Sequence, residues 1–291
     1  MVSPPYLLPT TVPERPWLCP SCGTAVTTPF CPGCGERPIS PVDLSLRGIA
    51  AQLMRTVGGL DSRVMRSLRE LLLRPGALTL AYVAGRRKPY IGPFQLFLLA
   101  NIVFFIVQSL THTRVFSSSL DSHLHHQDWS ALAGQLVAAR LSAAHTTLAE
   151  FAPLFDRAVV LNAKALIVLM VVPLALLLPL VFPRRGRPWS LHVVFALHFY
   201  AFALLLFSVG LGVALVDQLL GGGGLASARV DNVVTGALLL ASAVYVYLGA
   251  GRVYPGRAGV RVVQAIVVAA IVGAVILGYR FAIFLITLYT T

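Results

Sequence analysis

Charged residues are scarce in this chain. Of its 291 residues, 12% are charged and 57% are hydrophobic, and the mean hydropathy is +0.79. A soluble domain carries about 25% charged residues, so the composition indicates lipid rather than water as the solvent. No Asp or Glu falls in the central part of any long apolar run. Because intramembrane carboxylates mark proton and cation pathways, ion-coupled transport is disfavoured.

Cysteine is absent from most of the chain. All four cysteines lie between residues 19 and 34. This clustering argues against a disulfide framework spread over a secreted fold and predicts one metal site in a reducing compartment. Residues 1–18 are rich in proline and contain no apolar core, so we expect an extended, disordered lead and no secretory signal peptide.

The cysteines form two C-x-x-C pairs, each followed by glycine. Four thiolates make the tetrahedral ligand set of closed structural zinc sites. The sequence therefore predicts a zinc ribbon over residues 19–40 with Zn2+ as a structural cofactor. Its expected ligands are Cys19, Cys22, Cys31 and Cys34. The alternative is a dithiol redox pair or unmetallated cysteines. Four protein ligands leave no open coordination position, so a catalytic zinc is not expected.

Five apolar segments follow, each with roughly the 17–25 residues that a membrane-spanning helix needs. They lie at about 91–110, 164–182, 191–216, 233–250 and 262–285. The predicted fold class is therefore an all-α membrane protein, with about five transmembrane helices over residues 91–291 preceded by the zinc ribbon and an amphipathic segment at 41–90.

Arginine and lysine are distributed unevenly over the connecting segments. Three segments are basic: the one before the first span, the one between spans two and three, and the one between spans four and five. Their basic residues are Arg74, Arg86, Arg87, Lys88, Arg184, Arg185, Arg187, Arg252, Arg257 and Arg261. Because basic residues near span ends remain cytoplasmic, the pattern predicts a multi-pass membrane protein with a cytoplasmic N-terminus and an external C-terminus. Anionic lipid headgroups at that surface account for the net charge of +12 without a nucleic-acid partner.

An amphipathic helix is predicted at about residues 62–74, with Asp61 as its N-cap and Pro75-Gly76 ending it. Its apolar face carries Val64, Met65, Leu68, Leu71 and Leu72, and its polar face carries Arg63, Arg66, Glu70 and Arg74. This pattern is typical of a helix lying in the headgroup plane. A helix packed on the end of the membrane bundle would show the same pattern.

Histidines outside the cysteine cluster are the other candidate ligands. The His123-Leu-His125-His126 run falls in the long first external loop. The serine-rich surroundings of this run favour a solvated loop. The alternative is that the histidines bind a metal. His192 and His198 lie six residues apart in the third span, on different helix faces, so we expect them to pack in the core or at an interface.

Two patterns follow the cysteine pairs: LxxRVxRSLRxLLxRPG from Leu60 to Gly76, and AYxxGRRxxYxxP from Ala81 to Pro93. With these patterns, residues 19–107 resemble a bacterial family of zinc-ribbon-headed membrane proteins that carries only a domain-of-unknown-function label. The resemblance implies an inner-membrane protein of uncharacterised activity and supplies no catalytic residues.

These patterns favour a non-enzymatic membrane protein whose ribbon and basic helix form a docking, scaffold or regulatory module. A cytoplasmic protein is its expected partner. The alternative is a channel or transporter for a neutral or anionic solute. A membrane-embedded enzyme acting on lipid is a third possibility, with His192 and His198 near the basic surface as its only clue.

Overall fold

The computed structural model describes residues 16–37, 62–111, 113, 115–183, 187–254 and 256–291. Most of the proline-rich lead and the first part of the 41–90 segment, including the predicted N-cap Asp61, lie outside the described residues. So do Arg184 and Arg185 of the second basic segment.

The N-terminal segment forms a small two-stranded sheet. Strand β1 (Trp17–Leu18) pairs antiparallel with β2 (Ala25–Val26), and Trp17 lies opposite Val26. Each strand flanks the first C-x-x-C pair, so this hairpin presents the first two cysteines at its turn.

The rest of the described chain is helical. Helices α1 (Ser62–Leu73) and α2 (Ala77–Val83) precede the first long apolar helix, α3 (Pro93–Leu110). Two shorter helices follow, α4 (Leu120–His125) and α5 (Ser130–Ala144). The remaining helices are α6 (Leu148–Leu166), α7 (Val171–Val181), α8 (Trp189–Leu219), α9 (Ala228–Val253) and α10 (Ala258–Thr290).

Five helices in the described ranges are long and apolar enough to cross a membrane, which confirms the predicted fold class. They are α3, the combined α6–α7 segment Leu148–Val181, α8, α9 and α10. Four of them begin and end within about five residues of the sequence-predicted spans. Successive spans run in opposite directions, so α3, α8 and α10 begin at the end of the bundle where α7 and α9 finish. This end carries the basic segments and is called the basic end below.

The second span differs most from its prediction. It begins at Leu148 instead of residue 164, and a 3-10 turn (Ile167–Met170) joins its two helices. Its 34 residues correspond to about 50 Å of helix at 1.5 Å per residue, well beyond an apolar bilayer core of about 30 Å. The expected solvated first loop is therefore largely helical, with α4, α5 and the start of α6 forming a layer over the end opposite the basic end.

Helix α8 lies at the centre of the bundle and contacts α3, α7 and α9. Large aromatic side chains along it, including Phe195 and Phe199, are fully buried. A helix that is apolar on every side is expected in such a central position. The C-terminal part of α8, at Val209 and Val213, and the other spans keep apolar side chains on the outer surface, as lipid contact requires.

Helix α1 starts and ends within one residue of its predicted bounds. Leu71 is 1% exposed and packs on the bundle, whereas Met65 is 71% and Leu72 is 49% exposed. The predicted apolar face is therefore divided: one edge contacts the bundle, and the other remains open to the surroundings. Helix α2 is more deeply set, since Leu78 and Tyr82 are both buried and Leu78 belongs to the main core.

Candidate metal centre and its contact with the membrane bundle

The two cysteine pairs form equivalent turns. The amide of Cys19 donates to Thr24 O, and the amide of Gly23 donates to Cys19 O; in the second turn, Cys31 N donates to Glu36 O and Gly35 N to Cys31 O. Gly23 and Gly35 have φ values of +76° and +69°. Because side-chain-bearing residues rarely adopt this left-handed region, the glycine after each pair is what allows the turn to close.

The four sulfurs converge on one point. They lie within 4.8 Å of one another, and the Cys19–Cys34 and Cys22–Cys31 Sγ distances are both 3.4 Å. A tetrahedral zinc with Zn–S bonds of about 2.3 Å requires sulfurs about 3.8 Å apart, which falls inside this range. The cysteines are not joined by disulfides. The structure thus brings all four predicted ligands together into a set that could hold a metal ion.

The surroundings of the four thiols are unequal. Cys19 and Cys31 are each 1% exposed and pack with Val26 and Trp17, whereas Cys22 is exposed. Hydrogen bonding to Thr24 lowers the pKa of the Cys22 thiol to about 6, and burial raises the pKa of Cys34 to about 12. A metal binds thiolates, so loading this site displaces protons and favours neutral or higher pH.

Glu36 links this ribbon to the membrane bundle. Its side chain is 4% exposed, and its Oε2 accepts hydrogen bonds from the backbone amides of Arg87 (3.2 Å) and Lys88 (3.1 Å). The hydroxyl of Ser21 donates to the same oxygen at 2.8 Å. A carboxylate buried to this extent needs such donors to offset the loss of water.

The same residue also closes the second cysteine turn through its carbonyl oxygen. Folding of the turn and docking on the segment before α3 are therefore coupled at one position. Sequence reasoning missed Glu36 because its partners are backbone amides, which leave no pattern in the side chains.

His192 and His198 have separate partners inside the bundle. The ring of His192 stacks on Tyr254, and its Nδ1 lies 2.9 Å from the Tyr254 hydroxyl. His198 Nδ1 lies 2.9 Å from the hydroxyl of Thr79, which places α2 against α8. Both histidines are buried. The expectation that they pack on different faces holds, and the Thr79 contact could not be read from the sequence.

The external histidines do not converge on a metal site. His123 is 1% exposed and packs between aromatic rings, whereas His125 and His126 are exposed. Within the part of the chain that the structure describes, the cysteine set is the only group of three or more potential ligands close enough for a metal. The expectation of a solvated loop is wrong for His123, because α4 and α6 pack it against Phe284 of the last span.

His123 is held neutral by its contacts. The indole Nε1 of Trp129 donates to His123 Nδ1 at 3.1 Å, and an indole can only donate. Burial lowers the pKa of His123 to about 4, and the charge of Arg280 acts in the same direction. Arg280 itself reaches Ser118, which lies just before α4, with 2.7 Å between Nη2 and Oγ.

Comparison with known proteins places a family similarity on the helices around the basic turn. Residues 61–105 match the model of a family described as a protein of unknown function (DUF3667). The matched stretch covers α1, α2, the basic turn that Glu36 contacts and most of α3, and it leaves out the ribbon. The chain matches no curated protein and no solved structure. This similarity, together with the five apolar helices of the described residues, fits a multi-pass membrane protein that carries a domain of unknown function.

Proposed function

We propose that this chain is a non-enzymatic protein of a bacterial inner membrane and that its zinc-loaded ribbon is a docking or regulatory platform for a cytoplasmic protein. In this proposal the basic end of the bundle faces the cytoplasm, the N-terminus is inside and the C-terminus is outside. Anionic headgroups surround the basic end and the exposed edge of α1.

The observation that carries the proposal is the contact between Glu36 and the backbone of Arg87 and Lys88. A ribbon that served only to bind metal would need no fixed position on the membrane domain. Here the buried carboxylate of Glu36 holds the ribbon in one position on the membrane domain. In this position Leu18 is 71% exposed and Phe30 is 43% exposed. A partner on the membrane surface would therefore meet these side chains in a fixed orientation.

The chemistry of the ligand set supports a structural role for the metal. Four cysteine sulfurs complete a tetrahedron and leave no position for substrate or water. Cys19, Cys22, Cys31 and Cys34 would hold the zinc, and the metal would supply folding free energy to a segment with little core of its own.

Photo-crosslinking in cells tests the proposal. A photoreactive residue would replace Leu18 in the full chain, in the Glu36→Ala variant and in a Cys31→Ser/Cys34→Ser variant. We expect a discrete cytoplasmic protein to be crosslinked by the full chain, weakly by Glu36→Ala and not by the cysteine variant. The Glu70→Ala variant, which changes another acidic residue away from the ribbon, is the matched control and should crosslink normally.

A crosslinking pattern unaffected by loss of the zinc ligands would contradict the proposal. Transport is tested separately with the purified protein in liposomes. Flux of a neutral or anionic solute that does not depend on the ribbon would favour the channel or transporter alternative.

A further inference from the structure

A cavity inside the membrane bundle is lined by residues from all five apolar helices. Its volume is about 190 Å3. Among the residues that line it are Phe97 from α3, Met170 from the 3-10 turn of the second span, Tyr200 from α8, Leu239 from α9 and Gly273 from α10. None of the described residues lining it is charged. An apolar cavity of about 150 Å3 in a soluble protein binds benzene, so this cavity has room for a ring or a short hydrocarbon chain.

The cavity lies near the middle of the membrane-spanning helices. Two of its lining residues, Tyr200 in α8 and Ser242 in α9, show this. They lie about 16 Å along their helices from the helix ends at Trp189 and Val253, at 1.5 Å per residue. Both of these helix ends belong to the basic end of the bundle, so the two residues are about half-way through an apolar core of about 30 Å. Phospholipid headgroups lie at the surfaces of that core and do not reach this depth.

The exposed part of the lining belongs to α9 and α10. These exposed lining residues are Thr235, Leu239, Ala269 and Gly273. At this depth the side of the bundle that they form contacts acyl chains rather than water. A ligand therefore enters from the hydrocarbon phase, which admits uncharged, lipid-soluble compounds and excludes ions because an unpaired charge is too costly there.

A polar group of this lining is buried without a partner. Tyr200 is 4% exposed, and its hydroxyl has no hydrogen-bond partner among the described residues. Two other buried tyrosines of the bundle are bonded: the Tyr279 hydroxyl donates to Ala163 O at 2.6 Å, and the Tyr254 hydroxyl lies 2.9 Å from His192 Nδ1. An unpaired hydroxyl in an apolar interior is costly, and the hydrocarbon core has no water to pair with it. An oxygen atom of a ligand in the cavity would accept this hydrogen bond.

We propose that this cavity binds an uncharged, lipid-soluble compound whose apolar ring fills the space and whose carbonyl oxygen accepts a hydrogen bond from Tyr200. The site belongs to the membrane domain and does not depend on any protein partner of the ribbon. A phospholipid acyl chain would also fit the apolar walls, but it would leave the Tyr200 hydroxyl unpaired. The dependence of binding on that hydroxyl therefore separates the two kinds of occupant.

The test uses the full chain, purified and placed in nanodiscs of phosphatidylcholine. The probe is benzophenone, which has a carbonyl oxygen and labels its neighbours on irradiation, and diphenylmethane is a competitor with the same two rings but no oxygen. Tyr200→Phe removes only the hydroxyl. Gly273→Phe places a ring at the cavity, and Gly278→Phe is its matched control, because an added Cβ meets nothing within 4 Å at either glycine and Gly278 does not line the cavity. Thermal unfolding without probe reports folding, and Tyr200→Phe should melt no lower than the parent because it loses an unpaired buried hydroxyl.

Mass spectrometry of peptides locates the labelled residues at each benzophenone concentration. We expect saturable labelling of lining residues such as Met170, with a half-saturating concentration at least about fivefold higher in Tyr200→Phe. Labelling should be strongly reduced in Gly273→Phe and unchanged in Gly278→Phe. Diphenylmethane should compete with the same inhibition constant in the parent and in Tyr200→Phe, since it has no oxygen to lose a hydrogen bond. Equal half-saturation in the parent and Tyr200→Phe would show a site for hydrocarbon alone and overturn the proposal. Labelling that does not saturate, or that falls equally in the two glycine variants, would also overturn it.

Discussion

The carboxylate of Glu36 lies 3.1 Å from the backbone nitrogen of Lys88, 52 positions further along the chain. This contact joins the cysteine-bearing segment to the turn that leads into the first membrane-spanning helix. The family match, which covers residues 61–105, includes Arg87 and Lys88 but not Glu36, their partner in the ribbon.

Gly76 is expected to be essential for the seating of α2. It has a φ of +83°, and a Cβ at this position would lie 2.8 Å from the carbonyl oxygen of Gly249 in α9. Gly76→Ala should therefore destabilise the protein by at least about 1–2 kcal/mol from the left-handed backbone alone, with the close contact adding to this. Thermal unfolding in mild detergent measures the effect. Gly259→Ala, where nothing lies within 4 Å of the added Cβ, is the control, and equal melting temperatures for the two variants would contradict the account.

Metal content is the second prediction. The purified chain should contain about one zinc per molecule under conditions free of chelators, because its four cysteine sulfurs converge. Cys31→Ser/Cys34→Ser should remove the metal and leave the ribbon sensitive to protease, while the spans still insert. Elemental analysis of both proteins, prepared in parallel, decides this point, and a parent protein with almost no zinc would refute the assignment of the metal.

The sequence allowed some features of this fold to be predicted closely and gave no access to others. The bounds of α1 follow from its periodic leucines and from Pro75, which are local signals. Most of α6, from Leu148 to Ala163, was missed because Glu150, Asp156 and Arg157 interrupt the apolar run there, so hydropathy located only its last residues and the helix that follows. The four cysteine ligands were recognisable from their spacing. The Glu36 and Thr79 contacts were not, since each joins residues that lie far apart along the chain.

The alternation of basic and sparse segments predicts the membrane orientation, with the N-terminus inside and the C-terminus outside. A reporter that is active only outside the cytoplasm should work when fused after Gly223 or at Thr291 and should be silent after Gly186 or Gly256. The two silent positions serve as controls for the two active ones. Activity after Gly186 would mean that the orientation or the number of spans is wrong.

The outer layer is expected to loosen in acid because of His123. Its pKa is about 4 in the folded chain and about 6.5 when unfolded. Between these values the unfolded state binds more protons, so the free energy of unfolding should decrease as pH falls from about 6.5 to about 4 and change little from this group below that range. Protonation at Nδ1 would also break the hydrogen bond from Trp129.

Thermal unfolding across this pH range measures the effect. His123→Gln, which keeps an acceptor but does not titrate, should weaken the pH dependence. His125→Gln changes an exposed histidine of the same helix and should leave the pH dependence of unfolding unchanged. The same acid dependence in both variants would show that His123 is not its source.

The central claim is that the metal ribbon is fixed to the membrane domain by Glu36, and hydrogen exchange at the amides of Arg87 and Lys88 tests it most directly. Hydrogen bonds to charged groups contribute about 1.5–3 kcal/mol each, so Glu36→Ala should accelerate exchange at these amides by at least about tenfold, with the zinc content unchanged. Glu36→Gln, which keeps one acceptor oxygen, should fall between the parent and the alanine variant. Unchanged exchange in Glu36→Ala, with the ribbon still folded around its metal, would contradict the account.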